Sequence, residues 1–524
     1  MHRVAPNISP GPSEAREGPA ASATLRRLMR LQLVSIARLG LVLLLALAIG
    51  ACTTNTITNE RDLVFLSTDD EVRVGREAAD QVAAEMGLVD APEISAFVAA
   101  VGQRVAVAAP VEGYDYSFQI VDRVEPNAFA LPGGYVFLSR GLLVLSNDEN
   151  ELANVLAHEI VHVAARHHAQ RQARATGVGL LALPGLLVGG LVGGTLGSIV
   201  SAPFAVAGVG AIASYSRGQE LEADEYGQRL AGLAGYDPAG LSVFLASLER
   251  DEALRAGSVR RTSWFDSHPA TLRRVDDAAK RAPALEPTQP RRLSRRAYLE
   301  RLDGLLVGDN PAEGIFDGQR FLHPDLDFTI VFPEGWKTAN TPRSVGAYPE
   351  DGRAQIALEL EGRSDGPREA ANAFLADLRQ ETRVDVARMD RVEIAGRDAV
   401  RGQFVVATRR GSVAVDATWI AHAGSIYRLT GVVPEGYGAE DRRIFGAVGQ
   451  SFSALGTEQR AGIRESRLRV RQAYAGESLD ELSRRTGNLW SLQETAVANG
   501  VSVDAPLSAG QSIKVAIQQP YQPH

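Results

Sequence analysis

The segment His158-Glu159-Ile160-Val161-His162 constrains this chain more than any other, because it lies in a run with helical apolar spacing. Residues four apart share one helix face with side chains about 6 Å apart. Both imidazoles can therefore reach one cation, and Glu159 can reach a water held beside it. Leu152, Val155, Leu156, Val161 and Val163 put this helix in a core, where an unpaired polar cluster is costly. Ser146-Asn147-Asp148-Glu149 reads as a capping box at its start, and the helix is expected to run to about Ala169.

A catalytic zinc takes three protein ligands and keeps one position open. Ser216-Arg217-Gly218-Gln219-Glu220-Leu221-Glu222-Ala223-Asp224 offers a second helix, with Glu220 and Asp224 one turn apart. Ala223 and Gly227 are small enough for close packing. Glu220 is the expected third ligand. Asp224 is expected behind it, accepting an N–H from a ligand histidine and fixing its tautomer. Glu222 and Glu225 suit a solvated face. His167 and His168 leave the 158/162 face and read as solvated.

HEIVH followed by SRGQELEADEYG, with NAFALPGGYVFLSRGLL at Asn127 to Leu143, resembles zinc metallopeptidase family 48. That family includes HtpX and the CAAX prenyl protease, and the likeness is to its BepA-like periplasmic branch. It spans roughly Glu71 to Ala279. The resemblance implies a mainly α, gluzincin-type domain with a small β-sheet beside the cleft. It implies one Zn2+ per chain on His158, His162 and Glu220, with Glu159 as catalytic base. Ser267-His268-Pro269 with Arg274 matches an HPxxxxR motif, so His268 and Arg274 are carried over as catalytic. For His268 two roles stay open: stabilising the tetrahedral intermediate, or binding the zinc and gating it. The implied function is a metalloendopeptidase acting on misfolded or stalled envelope proteins, with substrate added as a strand near Gly134 to Leu138. The alternative is a chaperone-like outer-membrane protein assembly factor that uses the same cleft with little proteolysis.

The N-terminus bears on location. Leu39 to Ile49 is an apolar run behind Arg30 and Arg38, too short for a span of about 20 residues. It ends in Ile49-Gly50-Ala51-Cys52, which resembles a lipobox. Cys52 is the single cysteine, so no internal disulfide can form and lipidation is its simplest role. Thr53, rather than an aspartate, suggests an outer-membrane anchor facing the periplasm. Residues 1–51 are the expected signal peptide, with Met29 as an alternative start. The formal net charge of -8 and the lack of a basic stripe argue against nucleic acid as a partner.

The chain reads as multidomain. Helical spacing over residues 69–110, with a turn at Val89 to Pro92, precedes a strand at Tyr114 to Ile120. Pro132-Gly133-Gly134 opens another strand, Tyr135 to Ser139, whose proline suggests a sheet edge. Ala175 to Tyr215 is apolar and Gly-rich, open to reading as a lid, a membrane contact or buried core. The expected divisions are a peptidase domain at 52–285, a linker at 286–320, an antiparallel α+β domain at 321–460 and a small unit at 466–517. That unit resembles a LysM-like βααβ module, for which peptidoglycan contact is the implied role.

Overall fold

The computed structural model describes residues 52–55, 57–58, 61–63, 66–110, 113–171, 214–255, 264–269, 273–291, 294–408, 411–436 and 439–523. The expected signal peptide, residues 1–51, and most of the Ala175 to Tyr215 stretch lie outside them. The chain divides into two units. In the first, strands β1 (Cys52–Thr54) and β2 (Arg61–Leu63) pair antiparallel, with Cys52 opposite Leu63. The second takes the chain from Leu66 onward, together with Asn55 to Asn59.

The second unit begins with two helices. In α1 (Thr68–Met86) Ser67 accepts from the Asp70 N–H, and Asp69, Asp70 and Glu71 favour the positive end of the helix dipole. Helix α2 (Pro92–Val107) starts on its proline, as the expected turn requires. A three-stranded sheet follows: β3 (Ser117–Val121), β4 (Ala128–Leu131) and β5 (Tyr135–Ser139). Strand β5 lies at its centre, parallel to β3 and antiparallel to β4. The expected edge position is thus corrected. Pro132 sits in a short 3-10 turn ahead of β5, where its missing N–H breaks no ladder bond. Gly133 (φ 80°) belongs there, because an added Cβ would stand 2.6 Å from Val72 Cα. Among the described residues β5 has a partner strand on each side at Gly134 to Leu138, so the sheet's edges are β3 and β4.

Helix α3 (Arg140–Leu145) leads into α4 (Glu149–Ala164), the helix of the His-Glu-x-x-His segment. Its cap is Asp148, which accepts from Glu151 N, while Ser146 closes α3. The expected run to Ala169 is broken: α4 stops at Ala164, Arg166 takes a left-handed φ of 55°, and helix resumes at 167–171. Glu71 and the Leu66 carbonyl hold the Arg166 side chain. Helices α5 (Arg217–Leu233), α6 (Gly240–Arg255), α7 (Trp264–Ser267) and α8 (Arg274–Arg281) complete the layer around α4.

Part of the stretch expected as linker is built into this core. Helix α9 (Arg295–Arg301) contributes Tyr298 and Leu299, followed by Leu302, Leu305 and Val307. The middle region is antiparallel. Seven strands stand in the order Lys337–Asn340, Ser344–Tyr348, Gln355–Gly362, Ser425–Pro434, Gly411–His422, Arg397–Thr408 and Val384–Ile394. Helices Pro367–Glu381 and Ala439–Ser451 cover it, and Phe328, Ile330 and Phe332 lie in its core.

The last segment shows the expected strand, helix, helix, strand order: Arg464–Gln472, Leu479–Thr486, Leu492–Asn499 and Ser512–Pro520. Capping boxes at Ser478 and Ser491 start both helices. It does not stand apart, however. Its first strand also pairs with Leu306–Val307, and Leu468 and Ala516 join the core of α2 and α4. Among the described residues no helix is long and apolar enough to cross a membrane.

Burial sets one pH effect in the middle region. His323 is packed among Phe321 and Phe328, accepts from Leu326 N through Nδ1, and burial pushes its pKa down to about 4. The folded state then binds fewer protons than the unfolded one between about pH 4 and 6.5. Stability is full above pH 6.5 and falls, by up to about 1.4 kcal/mol per unit, as pH drops through about 4. Histidine-selective NMR should find this imidazole titrating near the lower value, and His323→Gln should flatten the acid side of the stability curve.

Candidate metal centre

Helix α4 is buried along nearly its whole length, so its polar side chains must find partners within the protein. His158 and His162 lie one turn apart with ring centroids separated by 4.7 Å. Their Nε2 atoms face each other at 3.1 Å. Helix α5 can approach because of Gly227: a Cβ there would come within 3.1 Å of the backbone N and Cα of His158. Close packing brings Glu220 Oε1 to 3.5 Å from His162 Nε2, and Oε2 to 3.7 Å from His158 Nε2. His268 follows α7 directly, its N–H bonded to the Trp264 carbonyl. Its Nδ1 lies 3.1 Å from Glu220 Oε1 and 3.3 Å from His158 Nε2.

One donor atom from each of His158, His162, Glu220 and His268 thus falls within 4.8 Å of all the others. A tetrahedral ion with ligands at about 2.0–2.2 Å spaces its donors by about 3.3 Å, which these separations fit. Charge fits as well. Glu159, Glu220 and Asp224 are all fully buried, and among the described residues one guanidinium, that of Arg274, bonds Glu220 and Asp224, so carboxylates outnumber it. Burying that excess uncompensated is prohibitive, and a divalent cation balances it. Both Glu159 oxygens are also buried without a hydrogen-bond partner among the described residues.

The surroundings push the two facing carboxylates apart. Burial lifts Glu159 above the ordinary carboxylate range, against His268 and His158. Burial acts the same way on Glu220, yet His268 and His162 hold it well below that range. Burial drives His162 well below the imidazole range; it opposes the rise of His268, which Glu220 and Glu159 produce. Glu220 is thereby kept anionic and Glu159 kept basic.

Asp224 Oδ1 lies 3.1 Å from His158 Nδ1. Arg274 grips Asp224 through Nε at 2.7 Å and Nη2 at 2.8 Å, and reaches Glu220 Oε2 with Nη1 at 2.8 Å. It therefore positions two carboxylates and does not point at the Glu159 oxygens. Sequence reasoning missed four neighbours. Tyr215 stacks on His162 at 3.7 Å and 13°, and Trp264 stacks on His268 at 4.3 Å and 25°.

The third and fourth are His167 and Glu222. The reading of His167 and His168 as solvated is corrected: they are 0% and 4% exposed. The left-handed break at Arg166 resets the helix phase, so spacing counted from His162 no longer tells where they face. His167 Nδ1 meets His162 Nδ1 at 2.8 Å, and its Nε2 lies 3.4 Å from Glu222. His168 bonds the Tyr215 hydroxyl at 2.6 Å.

Residues 92–282 match Peptidase family M48. They form an M48 metallopeptidase domain. Every side chain of the cluster falls inside that range; the middle and C-terminal regions fall outside it. The chain is 33% identical over 228 residues to the beta-barrel assembly-enhancing protease of Yersinia pestis, covering 42% of this chain and 46% of that protein. It is 28% identical over 222 residues to mitochondrial metalloendopeptidase OMA1 of Schizosaccharomyces pombe, covering 42% and 63%. Metalloprotease LoiP of Escherichia coli matches at 31% over 175 residues, covering 33% and 66%. The matched stretch is thus about half the length of the assembly-enhancing protease.

The α4–α5 contact yields a direct test. Gly227→Val should force the helices apart at a cost of about 1–3 kcal/mol and draw Glu220 away from the imidazole pair. Elemental analysis should then find most bound metal lost from a protein that keeps its helical circular dichroism.

Proposed function

We propose that this protein is a zinc-dependent metalloendopeptidase of envelope protein quality control. One observation carries the reading: four converging donor atoms beside the buried Glu159 carboxylate, which accepts no hydrogen bond among the described residues. His158, His162 and Glu220 would hold the ion, and a bound zinc would supply Lewis-acid polarisation of a water and of the scissile carbonyl. Glu159 takes the proton of the attacking water, its basicity raised by burial, and returns it to the leaving amine. Asp224 fixes the His158 tautomer, and Arg274 keeps Asp224 and Glu220 aligned.

His268 Nδ1 stands in the donor set as a fourth member, and its Nε2 lies 3.3 Å from the Ala128 carbonyl on β4. If all four donors held the ion, no position would remain for a water, so we read this arrangement as a resting state. Withdrawal of His268 would make room for a water and substrate, and would also free the β4 backbone for an extended chain to pair with. The resemblance left two roles open for this residue, and the geometry favours the gate.

The substrates fitting this reading are misfolded or stalled envelope proteins, recognised through backbone. Cys52 is the proposed lipid anchor, at the outer membrane facing the periplasm, and the LysM-like C-terminal unit the proposed peptidoglycan contact. A second reading is a chaperone-like assembly factor with little proteolysis, which the closed donor set favours. Complementation of an envelope defect by the Glu159→Gln protein separates the two.

Glu159→Gln should reduce casein cleavage by at least about a thousandfold, on the scale of a lost general base, while one zinc per chain remains. Undiminished cleavage removes Glu159 from the base role. His268→Ala should raise kcat with the metal retained; a fall in kcat at unchanged KM would assign His268 to the transition state instead.

A further inference from the structure

Lys514 lies on Ser512–Pro520 at a position that faces the interior, where an apolar residue would ordinarily stand. It is 0% exposed, and its Nζ donates to the carbonyls of Val144 at 2.6 Å and Ser146 at 2.7 Å. Those carbonyls end α3 and lead into α4. The last carbonyls of a helix have no partner in their own backbone, and here a side chain 370 residues downstream caps them. Burial holds the ammonium well below the ordinary lysine range, Arg295 adding to the effect and Glu151 opposing it. Either protonation state serves, since even a neutral amine offers two N–H donors to two carbonyls.

The same turn is gripped from other sides. Lys514 N donates to Asn499 Oδ1 at 2.7 Å, and Asn499 Nδ2 donates to Lys514 O at 2.9 Å. Arg295 Nη2 bridges the Asn499 carbonyl at 2.8 Å and Asn147 Oδ1 at 2.7 Å. The Asn147 N–H bonds Glu151 Oε2 at 3.0 Å, and Ser146 Oγ meets the Tyr298 hydroxyl. The contacts of Ser146, Asn147 and Glu151 fall within a few residues of Asp148, the cap of α4, and the Lys514–Asn499 pair ties the lysine to the Arg295 bridge.

As simple glue a buried lysine is a poor choice, since desolvating an ion is opposed by several kcal/mol that an apolar side chain avoids. What it adds is register: two directed hydrogen bonds onto the turn that launches α4. From Asp148 to His158 the helix is unbroken over about 15 Å, so the placement of its first turn carries to the imidazoles.

We propose that the C-terminal strand-helix-helix-strand unit is a positioning element of the metal centre, with Lys514 setting the start of α4 and so the stance of His158 and His162. The proposal deepens the metallopeptidase reading and rests on it. The match to family M48 stops at residue 282, so this brace comes from outside the peptidase domain.

The test compares full-length Lys514→Met with Arg469→Ala, which cuts the Asp303 bridge of the same unit away from that turn. In metal-free protein, hydrogen exchange at amides 149–157 should be at least about tenfold faster in Lys514→Met and unchanged in Arg469→Ala. With cobalt(II) as the probe ion, the visible band of Lys514→Met should differ from wild type, and EDTA should strip the ion about tenfold faster. Wild-type exchange and a wild-type cobalt band in Lys514→Met overturn the proposal. Should that variant fail to fold, Asn499→Ala frees the lysine backbone, keeps its side chain, and should shift both readings in the same direction; no shift there overturns it equally. Failure of the underlying reading looks different: the wild-type chain would bind no cobalt, whereas exchange reports on α4 without any metal.

Discussion

Gly227 lets the backbone of α5 come against the backbone of His158, and the composition of the metal centre follows from that approach. A side chain at this position would hold the helices apart by roughly the width of a methyl group. Glu220 could not then share space with two imidazoles that face each other at 3.1 Å. Ala223, buried on the same face, maintains the approach one turn earlier. Asp224 and Arg274 turn the approach into orientation, since the guanidinium spans Asp224 and Glu220 and the Asp224 carboxylate meets His158 Nδ1.

A cluster this buried is unstable unless its charges close. Three carboxylates against one guanidinium leave an excess that suits a divalent ion, and stacked rings hold the ligands that respond to it. Tyr215 lies flat on His162 and Trp264 on His268. These rings exclude water and lower the local dielectric, which strengthens each electrostatic contact inside. The same burial that would make the empty cluster costly is what raises the basicity of Glu159.

The regions after residue 282 are tied into this arrangement rather than strung behind it. Helix α9 and Leu302, Leu305 and Val307 fill the first core, and Leu306–Val307 is the third strand of the C-terminal sheet. The stretch rich in proline and arginine looked like a linker because composition reports solvent exposure of its first half. From Tyr298 onward it turns inward, burying Tyr298, Leu299, Leu302 and Leu305 in too short a run to stand out as a helix period.

Much of the site was legible in the residues. The i, i+4 histidines, the glutamate between them, and a small-residue helix carrying Glu220 and Asp224 are local patterns, because helix geometry alone decides which side chains share a face. The antiparallel α+β character expected for residues 321–460 also matches the seven-stranded sheet found there. Where β5 sits in its sheet, and that His167 and His168 turn inward, depended on neighbours distant in sequence. A left-handed residue at 166 resets the helical phase, and no spacing rule carries across such a break. That His268 joins the donor set, and that Lys514 reaches the start of α4, are decided by packing between segments about a hundred to several hundred residues apart. The sequence by itself determined which atoms could hold a cation; tertiary structure decided which of them meet, because burial and charge balance are properties of the assembled core and not of any one helix.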